Sequence, residues 1–143
     1  MADGLIANIT HKSNPDLYFA LRGGANNFGI VTKFYLDTYP QGLMWGGIRV
    51  YPISANATIN KAFETFNNNA NTDTSAALIT SFSYHQGNFF SSCVFDYAKP
   101  QADPPIFHDF LALANETYVD TTRITTLHNL TDELDASTPP GFR

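Results

Sequence analysis

Apolar residues recur with two different periods along the chain, and each change of period marks a new element. Ile59, Ala62, Phe63 and Phe66 fall at i, i+3, i+4 and i+7, which predicts an amphipathic helix starting near Ser54 or Asn56. Ile106, Phe107, Phe110, Leu111 and Ala114 repeat that spacing and predict a second helix, with Asp103 as its cap and a proline in its first turn. Elsewhere the period is two. Gly29 to Tyr39 sets Ile30, Phe34 and Leu36 against Lys33, Tyr35 and Asp37, and Leu43 to Tyr51 runs extended around Trp45, Ile48 and Val50. Ala77 to His85 and Phe89 to Tyr97 are two aromatic-rich strands joined at Gln86-Gly87-Asn88, a tight hairpin. Weaker extended patterns cover Gly4 to Thr10 and Thr117 to Ile124. A last helix carries Leu127, Leu130 and Leu134 and is stopped by Pro139-Pro140-Gly141.

One further helix has sharp ends. Asn14-Pro15-Asp16 supplies a cap, a first-turn proline and an acid for the dipole, and Gly23-Gly24 stops it after Leu17 to Arg22. Its five consecutive apolar residues, Leu17 to Leu21, leave almost no polar face, so it is expected to be wedged inside something larger. Pro40-Gln41-Gly42 breaks the pattern and divides the chain into residues 1–40 and 41–143. Residues 43–124 then read β-α-β-β-α-β, an α+β order in which helices cover an antiparallel sheet.

Composition narrows the function classes. With 143 residues, 43% apolar and 14% aromatic, the sequence is globular. Eight Lys+Arg against 13 Asp+Glu give a net charge of -5, which argues against nucleic acid as a partner. No apolar run approaches the length of a membrane span. Cys93 is alone, so an intramolecular disulfide is excluded, and mid-strand it reads as a small buried hydrophobe. Sequons begin at Asn8, Asn56, Asn115 and Asn129, which points to a secreted glycoprotein parent, although the first residues carry no basic n-region or apolar h-region.

The one segment with a sharp signature is Arg22-Gly23-Gly24-Ala25-Asn26-Asn27-Phe28-Gly29-Ile30-Val31-Thr32. Glycines let a ligand approach the main chain closely and leave its N–H groups open, which suits phosphates. It is not a P-loop, because Ile30-Val31 stands where Lys-Ser/Thr is required, nor a dinucleotide fingerprint, because the order is helix, loop, strand. On spacing alone it reads as a helix C-cap and a loop. Taken residue by residue, however, Asn14 to Phe34 closely resembles the helix–glycine-turn–strand segment of FAD-linked oxidases. These are the berberine-bridge-enzyme-like members of the vanillyl-alcohol-oxidase superfamily, which carry a PCMH-type FAD-binding domain. Ala2-Asp3-Gly4 is similar to that family's strand turn, and Trp45-Gly46-Gly47 and the Tyr84 to Tyr97 hairpin are similar to its substrate domain.

The resemblance implies a fragment: residues 1–40 as the end of the FAD-binding domain, residues 41–143 as a partial substrate domain. It implies FAD as cofactor, a small organic substrate that gives up a hydride, and dioxygen as the oxidant of reduced flavin. Gly24, Asn27, Gly29, Ile30 and Val31 are implied to line the adenosine and pyrophosphate part of FAD through main-chain contacts. The flavin-attachment and catalytic segments match no stretch of this chain, so no catalytic residue is assigned and the chain alone is expected to be inactive. Tyr84 and His85 are candidate substrate-lining residues; adjacent in a strand, they point to opposite faces. His11 reads as a loop residue, His108 and His128 are not read as metal ligands, and Asp132, Glu133 and Asp135 read as a solvated helix end. The alternative is a stand-alone ferredoxin-like module that binds or dimerises without catalysis.

Overall fold

The computed structural model describes residues 4–137, in which the chain divides into two units, Met1–Tyr39 and Pro40–Arg143. Two sequence expectations, the turn at Ala2-Asp3-Gly4 and the stop at Pro139-Pro140-Gly141, fall wholly or partly outside those residues.

In the larger unit, strand β1 (Met44–Pro52) is followed by helix α2 (Asn56–Asn69), strands β2 (Ala76–His85) and β3 (Asn88–Tyr97), and a short helix α3 (His108–Leu111). Strands β4 (Val119–Asp120) and β5 (Arg123–Thr125) and helix α4 (Leu127–Ser137) complete it, while helix α1 (Pro15–Leu21) belongs to the smaller unit. All strand pairs are antiparallel and the order is β2-β3-β1-β4, with β5 also on β1. This is the split βαβ order. β4 and β5 keep one register against β1: Arg49 faces Asp120 and Gly46 faces Arg123, so they are a single edge strand interrupted at Thr121-Thr122. The interruption crosses Gly47, whose φ of +147° and missing side chain are both required, since a Cβ there would stand 2.7 Å from the Thr121 carbonyl oxygen.

The hairpin turn is Gln86-Gly87, with φ of +49° and +85°, as a two-residue turn matched to strand twist demands. Alternation then fixes the two faces of the sheet. Trp45, Arg49, Tyr51, Cys93, Phe95 and Tyr97 point to one side, where Ile59, Ala62 and Phe66 of α2 and Phe107 and Phe110 around α3 bury them. Phe107 is the hub: its ring lies 5.2 Å from Phe95, 5.6 Å from Phe66 and 5.9 Å from Trp45. On the opposite face, with Ile48, Val50, Ile79 and Val94, the larger unit places Leu130 of α4 on Gly46 at the β1–β5 end. Glu133 pins α4 there through Thr121 and Arg123.

Three expectations are corrected. The predicted second helix shrinks to α3 flanked by 3-10 turns at Pro105–Phe107 and Ala114–Glu116, and Asp103 sits at φ +50° instead of capping it. Burial of Phe107 and Phe110 needs only about one turn, so nothing selects a longer helix. Gly4 to Thr10 and Gly29 to Tyr39 alternate as strands but form none. A strand exists only when paired, and among the described residues neither stretch pairs into the sheet. Helix α1 starts at Pro15 and stops before Gly23-Gly24 as expected, but Asn14 makes no side-chain cap bond and none of the helix residues is buried.

Candidate functional site

The glycine turn is built from the end of α1. Gly24 N–H donates to the Ala20 carbonyl at 2.8 Å, and a Cβ on Gly24 would lie 2.4 Å from that carbonyl oxygen and 2.3 Å from the Phe28 ring. Only glycine lets the chain turn so tightly against the helix it has just left. A 3-10 turn over Ala25–Asn27 follows, held by the Asn27 side-chain amide donating to the Gly24 carbonyl at 2.9 Å. Gly29, at φ +144°, then redirects the chain into an extended run. From Phe28 to Tyr39 the main chain makes no hydrogen bond among the described residues, and Ile30 is 90% exposed. An open groove of about 640 Å³, lined by Phe19, Ala20, Arg22, Gly23, Gly24 and Phe28, lies beside the turn. Of the five residues singled out from sequence, Gly24 lines this groove with its N–H and C=O both bonded, Asn27 holds the turn, and Gly29, Ile30 and Val31 lie in the unbonded run beyond it, outside the groove's lining.

Tyr84 and His85 belong to the other unit, at the tip of the β2–β3 hairpin. Tyr84 points to the side covered by α2 and α3, beyond the reach of that cover, and lies against Phe89 with ring centroids 4.7 Å apart. His85 points to the open side and is exposed. On that open side Asp96 is half-buried between Gly46 and Ala77, and burial raises its carboxyl above the usual range.

Sequence reasoning passed over two polar arrangements. Arg49 is buried among the core aromatics, with Nη2 2.8 Å from Asp120 Oδ2 and with Nε and Nη1 unpartnered. Burial works against the Asp120 carboxylate, but bonds from Thr122 and Arg49 outweigh it and hold the carboxyl below its usual range. The signal was available, since Arg49 shares the parity of Trp45 and Tyr51 and so had to point into the core. Second, Tyr97 Oη donates to Asp73 Oδ2 at 2.7 Å, which lowers the Asp73 carboxyl and raises the Tyr97 hydroxyl. This pair borders a polar groove of about 490 Å³ that also takes in Thr65, Gln101 and His108.

Among the described residues no group of three His, Cys, Asp or Glu is placed to hold a metal ion, and no helix is long and apolar enough to cross a membrane. His11 lies edge-on to Tyr18, and His128 has an acidic partner one turn on, with Nε2 3.4 Å from Asp132. Cys93 is fully buried and burial pushes its thiol up to about 12.

Compared with known proteins, the chain is 43% identical over 150 residues to the FAD-dependent monooxygenase FUP4 of Fusarium proliferatum, which covers all of this chain and 29% of that protein. Against the FAD-dependent monooxygenase tpcD of Cochliobolus heterostrophus it is 40% identical over 149 residues, again all of this chain and 29% of the relative. The bifunctional solanapyrone synthase of Alternaria solani is 36% identical over 112 residues, 77% of this chain and 21% of that protein. The chain therefore spans less than a third of the length of these curated relatives. No protein-family profile and no solved structure matches it.

Proposed function

We propose that this chain is part of an FAD-dependent oxidoreductase of the berberine-bridge-enzyme-like group. Residues 1–40 form the end of a PCMH-type FAD-binding domain and residues 41–143 a portion of the substrate domain. Similarity along the whole chain to proteins named FAD-dependent monooxygenases supports this reading. One observation carries it: the main chain after the glycine turn keeps its N–H and C=O groups free among the described residues.

Those groups fit the nucleotide half of FAD. Pyrophosphate oxygens accept hydrogen bonds from main-chain N–H groups, and ribose hydroxyls bond either main-chain group, so no side-chain donor is needed. Gly24 lets the chain turn tightly against α1, Asn27 holds the turn in shape, Gly29 redirects the chain, and Ile30 and Val31 supply main-chain contacts and an apolar surface. Bound FAD supplies the redox chemistry, taking a hydride from an organic substrate and passing electrons to dioxygen.

On the substrate side the open sheet face is the working wall. Ile48, Val50, Ile79 and Val94 give it an apolar floor, and His85, Asp96 and Arg123 are polar side chains it carries beside them. His85 thereby stands as the substrate-lining member of the adjacent pair, while Tyr84 braces the hairpin tip from the other side against Phe89.

One edge of a cofactor site offers too few contacts to offset the loss of translational and rotational freedom, so the chain alone holds FAD weakly and does not turn over substrate. The test is to incubate the chain with FAD, remove free flavin and record the absorbance, then to titrate the isotope-labelled chain with FAD. Sub-stoichiometric retained flavin with amide shifts centred on Gly24 to Val31 is the expected result. An amide spectrum unmoved by millimolar FAD would refute the reading.

A further inference from the structure

We propose that Asn115 is an N-glycosylation site, a sequon whose carboxamide is exposed and unbonded among the described residues and whose threonine hydroxyl keeps its lone pairs free to accept. The four Asn-x-Thr sequons are alike in sequence, and their surroundings separate them. In α4, Asn129 donates its side-chain amide to Thr125 Oγ1 at 2.8 Å, so the nitrogen that must bond the sugar is already engaged against a buried threonine. Asn56, half-buried at the start of α2, accepts a bond from the Asn60 side chain at 3.1 Å. Asn8 has an exposed carboxamide, but its Thr10 hydroxyl is tied into a ring with Ser13, accepting from Ser13 N–H at 3.0 Å and lying 2.8 Å from Ser13 Oγ.

Asn115 differs from all three. It occupies the middle of the exposed 3-10 turn Ala114–Glu116, and its carboxamide makes no hydrogen bond among the described residues. The Thr117 hydroxyl donates to the Ala114 carbonyl at 2.8 Å, which leaves both of its lone pairs to accept a bond while the oligosaccharide is transferred to the amide. Leu113, just before the turn, packs on the core, so the turn is anchored on the helix-covered side and a glycan there points away from the open sheet face. The chemistry is a group transfer from a lipid-pyrophosphate-linked oligosaccharide. Asn115 Nδ2 loses a proton and bonds the anomeric carbon, and the lipid pyrophosphate leaves with the electron pair of the broken C–O bond.

The test is translation of the full chain behind a secretory leader with membranes that carry the transferase, followed by glycopeptide mapping. Occupancy at Asn115 is expected, with Asn115→Gln and Thr117→Ala each removing one glycan's mobility step while the far-ultraviolet dichroism stays unchanged. Processed chain with Asn115 unmodified would overturn the proposal, as would a mobility step that survives in both variants. The readout does not depend on flavin, so its failure and that of the oxidoreductase reading are separable.

Discussion

The Asn27 side-chain amide donates to the Gly24 carbonyl at 2.9 Å, fastening the glycine turn to itself before the chain runs out as open backbone. Such a bond contributes about 1 kcal/mol net. Asn27→Ala is expected to loosen the turn and weaken FAD-induced amide shifts at Gly29 to Val31 several-fold without altering the larger unit. Gly24→Ala is expected to be harsher, since its Cβ would meet the Ala20 carbonyl oxygen at 2.4 Å. Amide chemical shifts of the two variants, with and without FAD, check both statements.

Phe107 carries the larger unit. Four aromatic rings, Trp45, Phe66, Phe95 and Tyr97, lie around it, and it has no exposed surface. Phe107→Ala is expected to cost about 3–5 kcal/mol, by lost transfer energy and the cavity left behind. Phe107→Leu should cost less. Urea denaturation followed by Trp45 fluorescence measures both, and a Phe107→Ala midpoint equal to wild type would contradict this core.

How much of this was legible beforehand differs from element to element. The α2 stripe was readable because Ile59, Ala62 and Phe66 face one packed layer along the whole helix. The hairpin was readable because a two-residue turn with Gly87 admits few alternatives. Gly29 to Tyr39 misled because alternation records which side chains would share a face and says nothing of whether a partner strand exists. The second helix misled because two buried anchors, Phe107 and Phe110, satisfy the core with a single turn. For the site, spacing alone left the glycine turn a plain C-cap, and only residue-by-residue resemblance drew attention to it. That the main chain beyond the turn is free is a tertiary fact with no sequence signal.

Alkaline stability follows from two buried acids. Burial pushes the Tyr51 hydroxyl, which donates to the Phe110 carbonyl at 3.3 Å, up to about 12 from its ordinary 10.0. It pushes the Cys93 thiol up to about 12 from 9.0. Both hold their protons more tightly folded than unfolded, so the native state binds more protons across this window. Their stabilisation is complete below about pH 9 and is lost progressively as pH rises toward 12. Melting temperature is therefore expected to fall across that range, and Cys93→Ala, judged against its own neutral value, should fall less steeply. A flat profile would contradict the burial of both groups.

The smaller unit exposes apolar surface without burying any residue among those described. Phe19 is 83% exposed and Leu36 80%. Surface of this kind calls for a cover. The chain alone is expected to bind a hydrophobic dye with enhanced fluorescence, and Phe19→Ser with Phe34→Ser should lower that signal. An independent module with no such need would leave the dye dark, and that result would favour the stand-alone ferredoxin-like reading.

The most direct measurement compares two halves of one cofactor. ADP and FMN are titrated separately into the isotope-labelled chain, each to the same free concentration. ADP should move the amides of Gly24, Asn27, Gly29, Ile30 and Val31, while FMN should leave them in place. Equal movement with both ligands, or none with ADP, would contradict the assignment of this turn to the nucleotide half of FAD.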